Sequence, residues 1–168
     1  GWDRLILLCK TFNGYQNLIQ LVTMSNMDGF YYKPRLDLTL LGQYTEGLVV
    51  ISPGVSGPVA DRIKTHRDQE GEDIAKQLKA LYGDDFYLGV QRQGDTAEDI
   101  TDSSLQELAK KLDIPLVATN DVYYLEREHA ELRTILGCIK TGRRLEDDVR
   151  AQFMSREWYF KSTQEMIA

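Results

Sequence analysis

Short apolar runs alternate with amphipathic stretches along the chain, and this alternation limits the folds that the chain can adopt. Strand-length runs rich in Val, Leu and Ile occupy residues 4–9, 47–52, 86–91 and 115–119. Runs that are apolar throughout are typical of strands covered on both faces. The stretches between them carry the three- and four-residue spacing of helices. This regular alternation predicts an α/β fold with parallel strands and right-handed crossovers.

The first helix is predicted from a cap and a stop signal. Asn13 is of a residue type that caps helices, and Gly29 stands where the apolar pattern ends. The apolar side chains of this helix recur at helical spacing and are expected to face inward: Tyr15, Leu18, Ile19 and Val22. Asp37 is predicted to cap a second, shorter helix over residues 38–44.

Later helices are predicted over residues 59–64, 72–82, 97–112 and 126–140. The third of these is expected to bury Ile100, Leu105, Leu108, Ala109 and Leu112. The fourth has its apolar positions at Ala130, Ile135, Leu136 and Ile139, and Gly142 follows it as a left-handed stop. Ser162 and Glu165 have the spacing of a capping box, which predicts one more helix start.

Composition excludes several classes of protein. Of the 168 residues, 42% are hydrophobic and 27% are charged, a balance typical of globular domains rather than disordered chains. A net charge of -6 argues against a nucleic-acid-binding module acting alone, because phosphate neutralisation needs a basic surface. Two cysteines, Cys9 and Cys138, make no disulfide framework, and reduced thiols in a cytoplasmic protein are expected. No apolar run is long enough to cross a membrane.

The number of predicted strands bears on the architecture. Four strands can form an open sheet but cannot close an α/β barrel. Because a strand begins almost at once and a helix begins near the last residue, we expect part of a larger α/β barrel. Chemistry in such folds lies in the loops after the strands, here residues 10–13, 53–58, 92–96 and 120–124.

These loops carry little recognisable chemistry. The two histidines, His66 and His129, lie in charged helical stretches and are expected to be surface residues, which leaves a nucleophilic hydrolase without a base. Neither of the two glycine-rich phosphate-binding motifs, GxxxxGK(S/T) and GxGxxG, is present in the sequence. Asp121, after the fourth strand, is the best candidate for a metal ligand, but a single carboxylate is not a metal site.

Two surface segments have alternative interpretations. The aromatic loop Phe30–Tyr32 could stack nucleic-acid bases, but packing against a neighbouring domain is favoured. Three basic residues cluster near a helix carboxyl terminus, where they would interact favourably with the helix dipole: Lys140, Arg143 and Arg144. The alternative is that they bind a phosphate or an adjoining domain.

Four ordered motifs carry a family resemblance. They are residues 28–37 (DGFYYKPRLD), 46–52 (EGLVVIS), 116–125 (LVATNDVYYL) and 138–148 (CIKTGRRLEDD). Together they resemble the PHP (polymerase and histidinol phosphatase) domain of bacterial DNA polymerase III alpha subunits. The resemblance extends from the strand at Arg4 to the segment around Met166.

The resemblance implies a fold and a parent protein. The fold is a distorted seven-stranded α/β barrel with mostly parallel strands, of which this chain is similar to the later two-thirds, without the N-terminal strands. Residues 1–145 would be the PHP portion, and residues 146–168 a connector toward the polymerase palm. The implied parent is a cytoplasmic DNA-directed DNA polymerase, a nucleotidyltransferase of DNA replication whose catalytic carboxylates lie outside this chain.

The resemblance also implies a metal site and its loss. Metal-loaded members hold divalent ions at the barrel mouth and hydrolyse phosphodiesters as 3′–5′ exonucleases. Of the family ligands, Asp121 is retained, whereas Arg4 and Tyr123 stand at histidine positions and Gly54 stands at a cysteine position. Arginine has no lone pair to donate and would repel a divalent ion. We therefore predict an eroded metal site, an ion pair between Arg4 and Asp121, no catalytic residue and no cofactor.

Three functional hypotheses follow. The leading one is a non-catalytic structural and docking segment of the alpha subunit, in contact with the palm, the rest of that subunit and a proofreading exonuclease subunit. DNA would be bound only through the parent, and no membrane is involved. The alternative is a metal-dependent phosphoesterase of PHP type. A third is a self-standing small α/β binding domain, which would be a stable monomer.

Overall fold

A computed structural model describes residues 3–94, 96–142, 144 and 155–167. Its centre is a four-stranded sheet in the order β1-β2-β3-β4. The strands are β1 (Ile6–Cys9), β2 (Leu48–Ser52), β3 (Phe86–Val90) and β4 (Leu116–Ala118). The predicted α/β class and all four strand positions are confirmed.

The first strand runs against its neighbour, contrary to the prediction of parallel pairing. Strands β1 and β2 are antiparallel, with Ile6 opposite Ile51 and Cys9 opposite Leu48, whereas β2, β3 and β4 pair in parallel. The reason is the length of the connection. The first helix carries the chain from the end of β1 back to the edge where β1 began, and the segment from Asp28 to Gly47 carries it forward again. Strand β2 therefore starts beside the end of β1.

Seven α-helices accompany the sheet in the described part of the chain. They are α1 (Phe12–Met27), α2 (Leu38–Leu41), α3 (Pro58–Lys64), α4 (Asp68–Tyr82), α5 (Thr96–Leu112), α6 (Ala130–Thr141) and α7 (Thr163–Ile167). Side chains of α1, α3, α4 and α5 form one core with the inner face of the sheet. Its fully buried members are Leu21, Val50, Val59, Ala75, Leu78, Phe86 and Leu88. Burial of such side chains is the main stabilising term of the fold.

Helix α1 differs from its prediction in both its cap and its inward face. Thr11, not Asn13, is the cap, and its hydroxyl accepts a hydrogen bond from the Gly14 amide at 3.1 Å. The buried residues are Gly14, Leu21 and Ser25, and Leu18 is half-buried; the other predicted inward residues are exposed, namely Tyr15, Ile19 and Val22. The rotation is set by Gly14, where a Cβ would lie 1.9 Å from the carbonyl oxygen of Gly47. Only a glycine allows the helix backbone to approach the strand entrance so closely.

Other helix predictions are confirmed in position and corrected in detail. The carboxylate of Asp37 accepts from the Leu40 amide at 2.7 Å and caps α2, as predicted. Gly142 is left-handed at φ 66° and ends α6, also as predicted. Helix α6 begins at Ala130, after a 3-10 turn over Arg127–His129 that the prediction had included in it. The predicted apolar face of α6 is largely exposed at Ile135, Leu136 and Ile139.

Ile100 is 53% exposed, although the prediction placed it in the core. Helix α5 instead turns Glu98, Thr101 and Leu105 inward. Their spacing of three and four residues defines a face that excludes Ile100. The inward position of Glu98 has a specific cause in the loop after β3, described below.

Three further sequence predictions concern the chain as a whole. Both cysteines are free thiols, Cys9 exposed and Cys138 buried. Within the ranges given above, no helix has both the length and the apolarity that crossing a bilayer requires. The predicted domain boundary at residues 145 and 146 lies outside the described residues, as does Arg143 of the basic cluster.

The predicted capping box at the start of α7 is confirmed. The Ser162 amide and hydroxyl donate to Oε2 of Glu165 at 2.8 and 2.7 Å, and the Glu165 amide donates back to Ser162 Oγ at 3.4 Å. The Tyr159 hydroxyl donates to Oε1 of Glu165 at 2.7 Å. These donors, Tyr159 first, lower the pKa of the Glu165 carboxyl from 4.5 to about 2.

This cap is expected to depend on pH in acid. Because the folded pKa of Glu165 lies below its unfolded value of 4.5, the stabilisation is present above pH 4.5 and is lost as the pH falls toward 2. An NMR titration of the Ser162 amide should show a midpoint near pH 2, and the Glu165→Gln variant should lack that transition. A midpoint near 4.5 would contradict the cap.

Candidate cavity at the strand ends

A cavity of about 390 Å³ opens at the carboxyl ends of the parallel strands. The antiparallel direction of β1 brings the start of that strand to the same edge, where the Arg4 amide donates to the Ser56 carbonyl at 3.4 Å. The lining mixes acidic, basic, amide and aromatic groups: Asp3, Arg4, Val55, Ser56, Asp61, Lys64, Gln91, Gln93, Glu98, Asp121, Tyr123 and Trp158. This is the edge at which open α/β sheets place their functional groups.

Gln93 joins two of the loops that form the cavity. Its side chain is 1% exposed. Its amide nitrogen donates to Asn120 Oδ1 at 2.6 Å and to the Asp121 carbonyl at 2.9 Å, and its amide oxygen accepts from the Asp121 amide at 3.3 Å. The loop after β3 is therefore tied to the loop after β4 by neutral groups.

Glu98 holds the loop after β3 from the helix side. Its carboxylate, on a residue 5% exposed, accepts from the amides of Gln93 at 2.7 Å and Gly94 at 3.0 Å. Backbone amides compensate a buried carboxylate, so Glu98 can lie on the inward face of α5, which excludes Ile100. This carboxylate is engaged in holding a loop.

The C-terminal segment over residues 155–160 is bonded to the same loops. Asn120 Nδ2 donates to the Tyr159 carbonyl at 2.7 Å. The Tyr123 amide donates to the Trp158 carbonyl at 2.8 Å, and the Phe160 amide donates to the Tyr124 carbonyl at 3.0 Å. The predicted extended piece at 158–160 thus pairs in parallel with Tyr124 in the loop after β4.

The four predicted site positions come close to one another but do not form a ligand set. Arg4, Asp121 and Tyr123 line the cavity. Gly54 is buried beside it, and a Cβ there would lie 3.1 Å from Gln91 Oε1, so the Gln91 side chain takes the space of a residue-54 side chain. The loops after β2, β3 and β4 thus supply lining residues, as predicted, whereas the loop after β1 lies at the opposite edge of the sheet because β1 is antiparallel.

Tyr123 is an aromatic packing residue. Its ring lies 5.2 Å from the Trp158 ring, and the guanidinium of Arg133 lies 4.9 Å from the centre of the Tyr123 ring. Such ring and cation–ring contacts are worth about 0.5–1.5 kcal/mol each. The ring at this position therefore links the loop after β4 to α6 and to the C-terminal segment.

Most acids of the cavity are held by protein partners. Asp3 pairs with Arg62 at 2.8 Å, and Asp61 pairs with Lys64 at 3.2 Å and with Arg62 at 3.3 Å. The hydrogen bond to Asp3 raises the pKa of Arg62. Asp121 is the remaining carboxylate. Arg4 lines the same cavity, and the ion pair between Arg4 and Asp121 stays a prediction.

The residues present do not fit a divalent metal site. Among the described residues, no three His, Cys, Asp or Glu side chains are grouped so that they could hold a metal ion. Catalytic zinc takes three protein ligands, and calcium or manganese takes several oxygens. Asp121 alone, beside Arg4 in the same lining, does not meet either requirement.

Sequence reasoning missed the residues that shape this cavity most. Gln91, Gln93, Glu98 and Asn120 belong to no catalytic motif. The available signal was a run of polar side chains directly after an apolar strand, a position at which buried polar groups require partners. That signal would have indicated a hydrogen-bonded loop junction.

Comparison with known proteins identifies the family. The model of the PHP domain matches residues 1–93. The DNA polymerase III subunit alpha of Treponema pallidum is 40% identical over 163 residues, which is 96% of this chain and 14% of that protein. The corresponding subunit of Borreliella burgdorferi is 38% identical over 162 residues, again 96% of this chain and 14% of that protein. That of Thermus aquaticus is 33% identical over 168 residues, 100% of this chain and 14% of the relative.

The chain belongs to the PHP domain family. Its homologues are DNA polymerase III alpha subunits, so the family resemblance of the four motifs is confirmed. The chain spans about 14% of the length of these curated relatives. The four-stranded sheet is consistent with a PHP-type fold.

Proposed function

We propose that the chain is a non-catalytic structural and docking segment of the PHP domain in a bacterial DNA polymerase III alpha subunit. Template-directed DNA synthesis would be the activity of the parent protein and lie outside this segment. The observation that carries the proposal is the content of the cavity: the Gln93 amide joins two of its loops, and a packed tyrosine ring stands at one of the positions where a metal ligand would be needed.

The substitutions work against a metal in three different ways. The Arg4 guanidinium is a cation and offers no lone pair. Gly54 offers no side chain, and Gln91 fills the adjacent space. Tyr123 offers a phenol oxygen, a poor metal ligand, and its ring packs against Trp158. Asp121 would be left to hold an ion alone, against the repulsion of a nearby cation.

The amide network supports a structural role. A metal cluster at a barrel mouth draws several loops to one ion, and metal binding of this kind stabilises a fold. Here Gln93 and Asn120 join the same loops with neutral hydrogen bonds that need no ion. The cavity is therefore stable as a junction of the loops after β3 and β4 with residues 155–160.

The proposal includes partners. The polymerase palm and the remainder of the alpha subunit would contact this segment, and a proofreading exonuclease subunit would dock on the PHP domain. The relatives, of which this chain covers 14%, supply the length for such neighbours. DNA would be contacted through the parent, in agreement with the net charge of -6 on this segment.

A nuclease assay tests the proposal against its rival, a metal-dependent phosphoesterase of PHP type. The full-length parent and its Asp121→Asn variant are incubated with single-stranded DNA and Mn²⁺, and template-directed synthesis is measured in the same preparations. We expect no Mn²⁺-dependent hydrolysis of the DNA by either protein and unchanged synthesis. Hydrolysis that disappears in Asp121→Asn while synthesis persists would establish the phosphoesterase instead.

A further inference from the structure

Helix α1 carries no charged residue in its sixteen positions, yet much of it faces solvent. Phe12, Tyr15, Ile19 and Val22 are 73%, 51%, 45% and 52% exposed. A helix on a protein surface ordinarily carries charged and polar residues on its solvent side. The outer side of α1 instead offers aromatic and aliphatic groups flanked by neutral amides and hydroxyls.

The exposed apolar residues form a stripe separate from the buried one. At about 100° per residue, residues 12, 15, 19 and 22 centre roughly 120° around the helix from Gly14, Leu21 and Ser25, which face the core. Helix α1 therefore has two apolar stripes. One is covered by the sheet, and the other is uncovered in this chain.

The loop that follows α1 adds exposed aromatic rings. Tyr32 is 82% exposed and has a φ of 60°, a left-handed conformation that is unfavourable for a residue with a Cβ. Its ring meets that of Tyr31 edge-on at 4.7 Å, and the Arg35 guanidinium lies 5.1 Å from the centre of the Tyr31 ring. The two rings thus contact each other at an exposed loop tip, and exposed tyrosines are common anchors of protein interfaces.

We propose that the outer stripe of α1 and the tip Tyr31–Tyr32, together called the uncharged face, pack against an apolar protein surface in the remainder of the parent polypeptide. This inference rests on the proposed function. Interface cores are depleted of charged residues and enriched in Tyr and Phe. A partner in the same polypeptide needs no charge to steer its encounter, and the relatives extend far beyond the 14% that this chain matches.

The absence of charge on α1 also decides against nucleic acid as the occupant. Binding of a phosphate backbone needs several cations along the contact, and α1 supplies none. Lys33 and Arg35 lie only at the loop, and Arg35 is held over the Tyr31 ring. A sixteen-residue helix without cations cannot follow a strand of nucleic acid.

Thiol labelling of the full-length parent tests the uncharged face. Ile19→Cys is compared with Ile100→Cys, a control of similar exposure (45% and 53%) on the charge-rich helix α5. Maleimide modification of each peptide is followed by mass spectrometry. We expect the thiol at position 19 to react at least tenfold more slowly than the thiol at position 100, at any protein concentration and without added DNA or other subunits.

Several outcomes would overturn the inference. Equal labelling rates would leave the uncharged face open. Protection that appears only with DNA, only with an added subunit, or only at high protein concentration would assign the face to nucleic acid, another protein or a second copy. Hydroxyl-radical footprinting of Tyr15 and Tyr32 in the unmodified parent gives the same answer should Ile19→Cys not fold. Metal content and DNA synthesis are measured in parallel, because they test the proposed function and not the uncharged face.

Discussion

Replacement of Gly14 by alanine is expected to lower the free energy of unfolding by about 3 kcal/mol. The added Cβ would lie 1.9 Å from the carbonyl oxygen of Gly47 and 2.4 Å from its carbonyl carbon. Both neighbours are backbone atoms, and Gly47 has a φ of 74°, so neither rotation of a side chain nor a small backbone shift relieves the contact. Helix α1 would have to move away from the entrance of β2.

Gly137→Ala is the matched control for this prediction. Gly137 also lies inside a helix, α6, and a Cβ there would meet no atom within 4 Å. Alanine should be neutral at that position or stabilise the protein by up to about 1 kcal/mol, because it favours the helix and reduces the freedom of the unfolded chain. Urea unfolding followed by circular dichroism compares the two. Similar midpoints for both variants would show that the contact between Gly14 and Gly47 does not position α1.

Removal of the Gln93 side chain is expected to have the second large effect. Gln93→Ala leaves Asn120 and the Asp121 carbonyl without their donor and opens a small cavity. Lost partners of buried polar groups cost about 1–3 kcal/mol, so we expect a total loss of stability of about 2–4 kcal/mol. Hydrogen exchange should also become faster over residues 119–124, because Gln93 joins that loop to the one after β3.

Gln106→Ala provides the comparison for this change. Gln106 is an exposed residue of α5, and its truncation should alter stability by no more than about 0.5 kcal/mol. The exchange rates of residues 119–124 should stay as they are in the unmodified protein. If Gln93→Ala behaved like Gln106→Ala in both measurements, the loops would not be held together by the amide network.

Local sequence features were sufficient to predict the strands and most helix ends. Strands β2 and β3 are mostly buried, as their apolar runs predicted, whereas the similarly apolar β1 and β4 are largely exposed, contrary to that prediction. Asp37, Gly142 and the pair Ser162 and Glu165 act through bonds within a few residues, so their roles were readable from spacing.

What could not be predicted depends on contacts between distant parts of the chain. The rotation of α1 is set by Gly14 against Gly47, and hydrophobic spacing alone selected the stripe that is exposed. The direction of β1 relative to β2 depends on how many times the connecting chain runs the length of the strands before β2 begins. Gln93 was missed because an amide that joins two loops has no local motif.

The candidate site shows the same division. The family resemblance selected Arg4, Asp121 and Tyr123, and these three residues line one cavity. It did not reveal that Gln91 fills the space beside Gly54 or that Tyr123 packs between Trp158 and Arg133. Those contacts help to hold the loops around the cavity in place.

Metal content of the full-length parent tests the proposed function most directly. The protein and its Asp121→Asn variant are equilibrated with Zn²⁺ or Mn²⁺, freed of unbound metal, and measured by inductively coupled plasma mass spectrometry. We expect the same metal content in both proteins, because under the proposed function Asp121 would hold no ion. A stoichiometric ion that is present in the unmodified protein and absent from Asp121→Asn would contradict it.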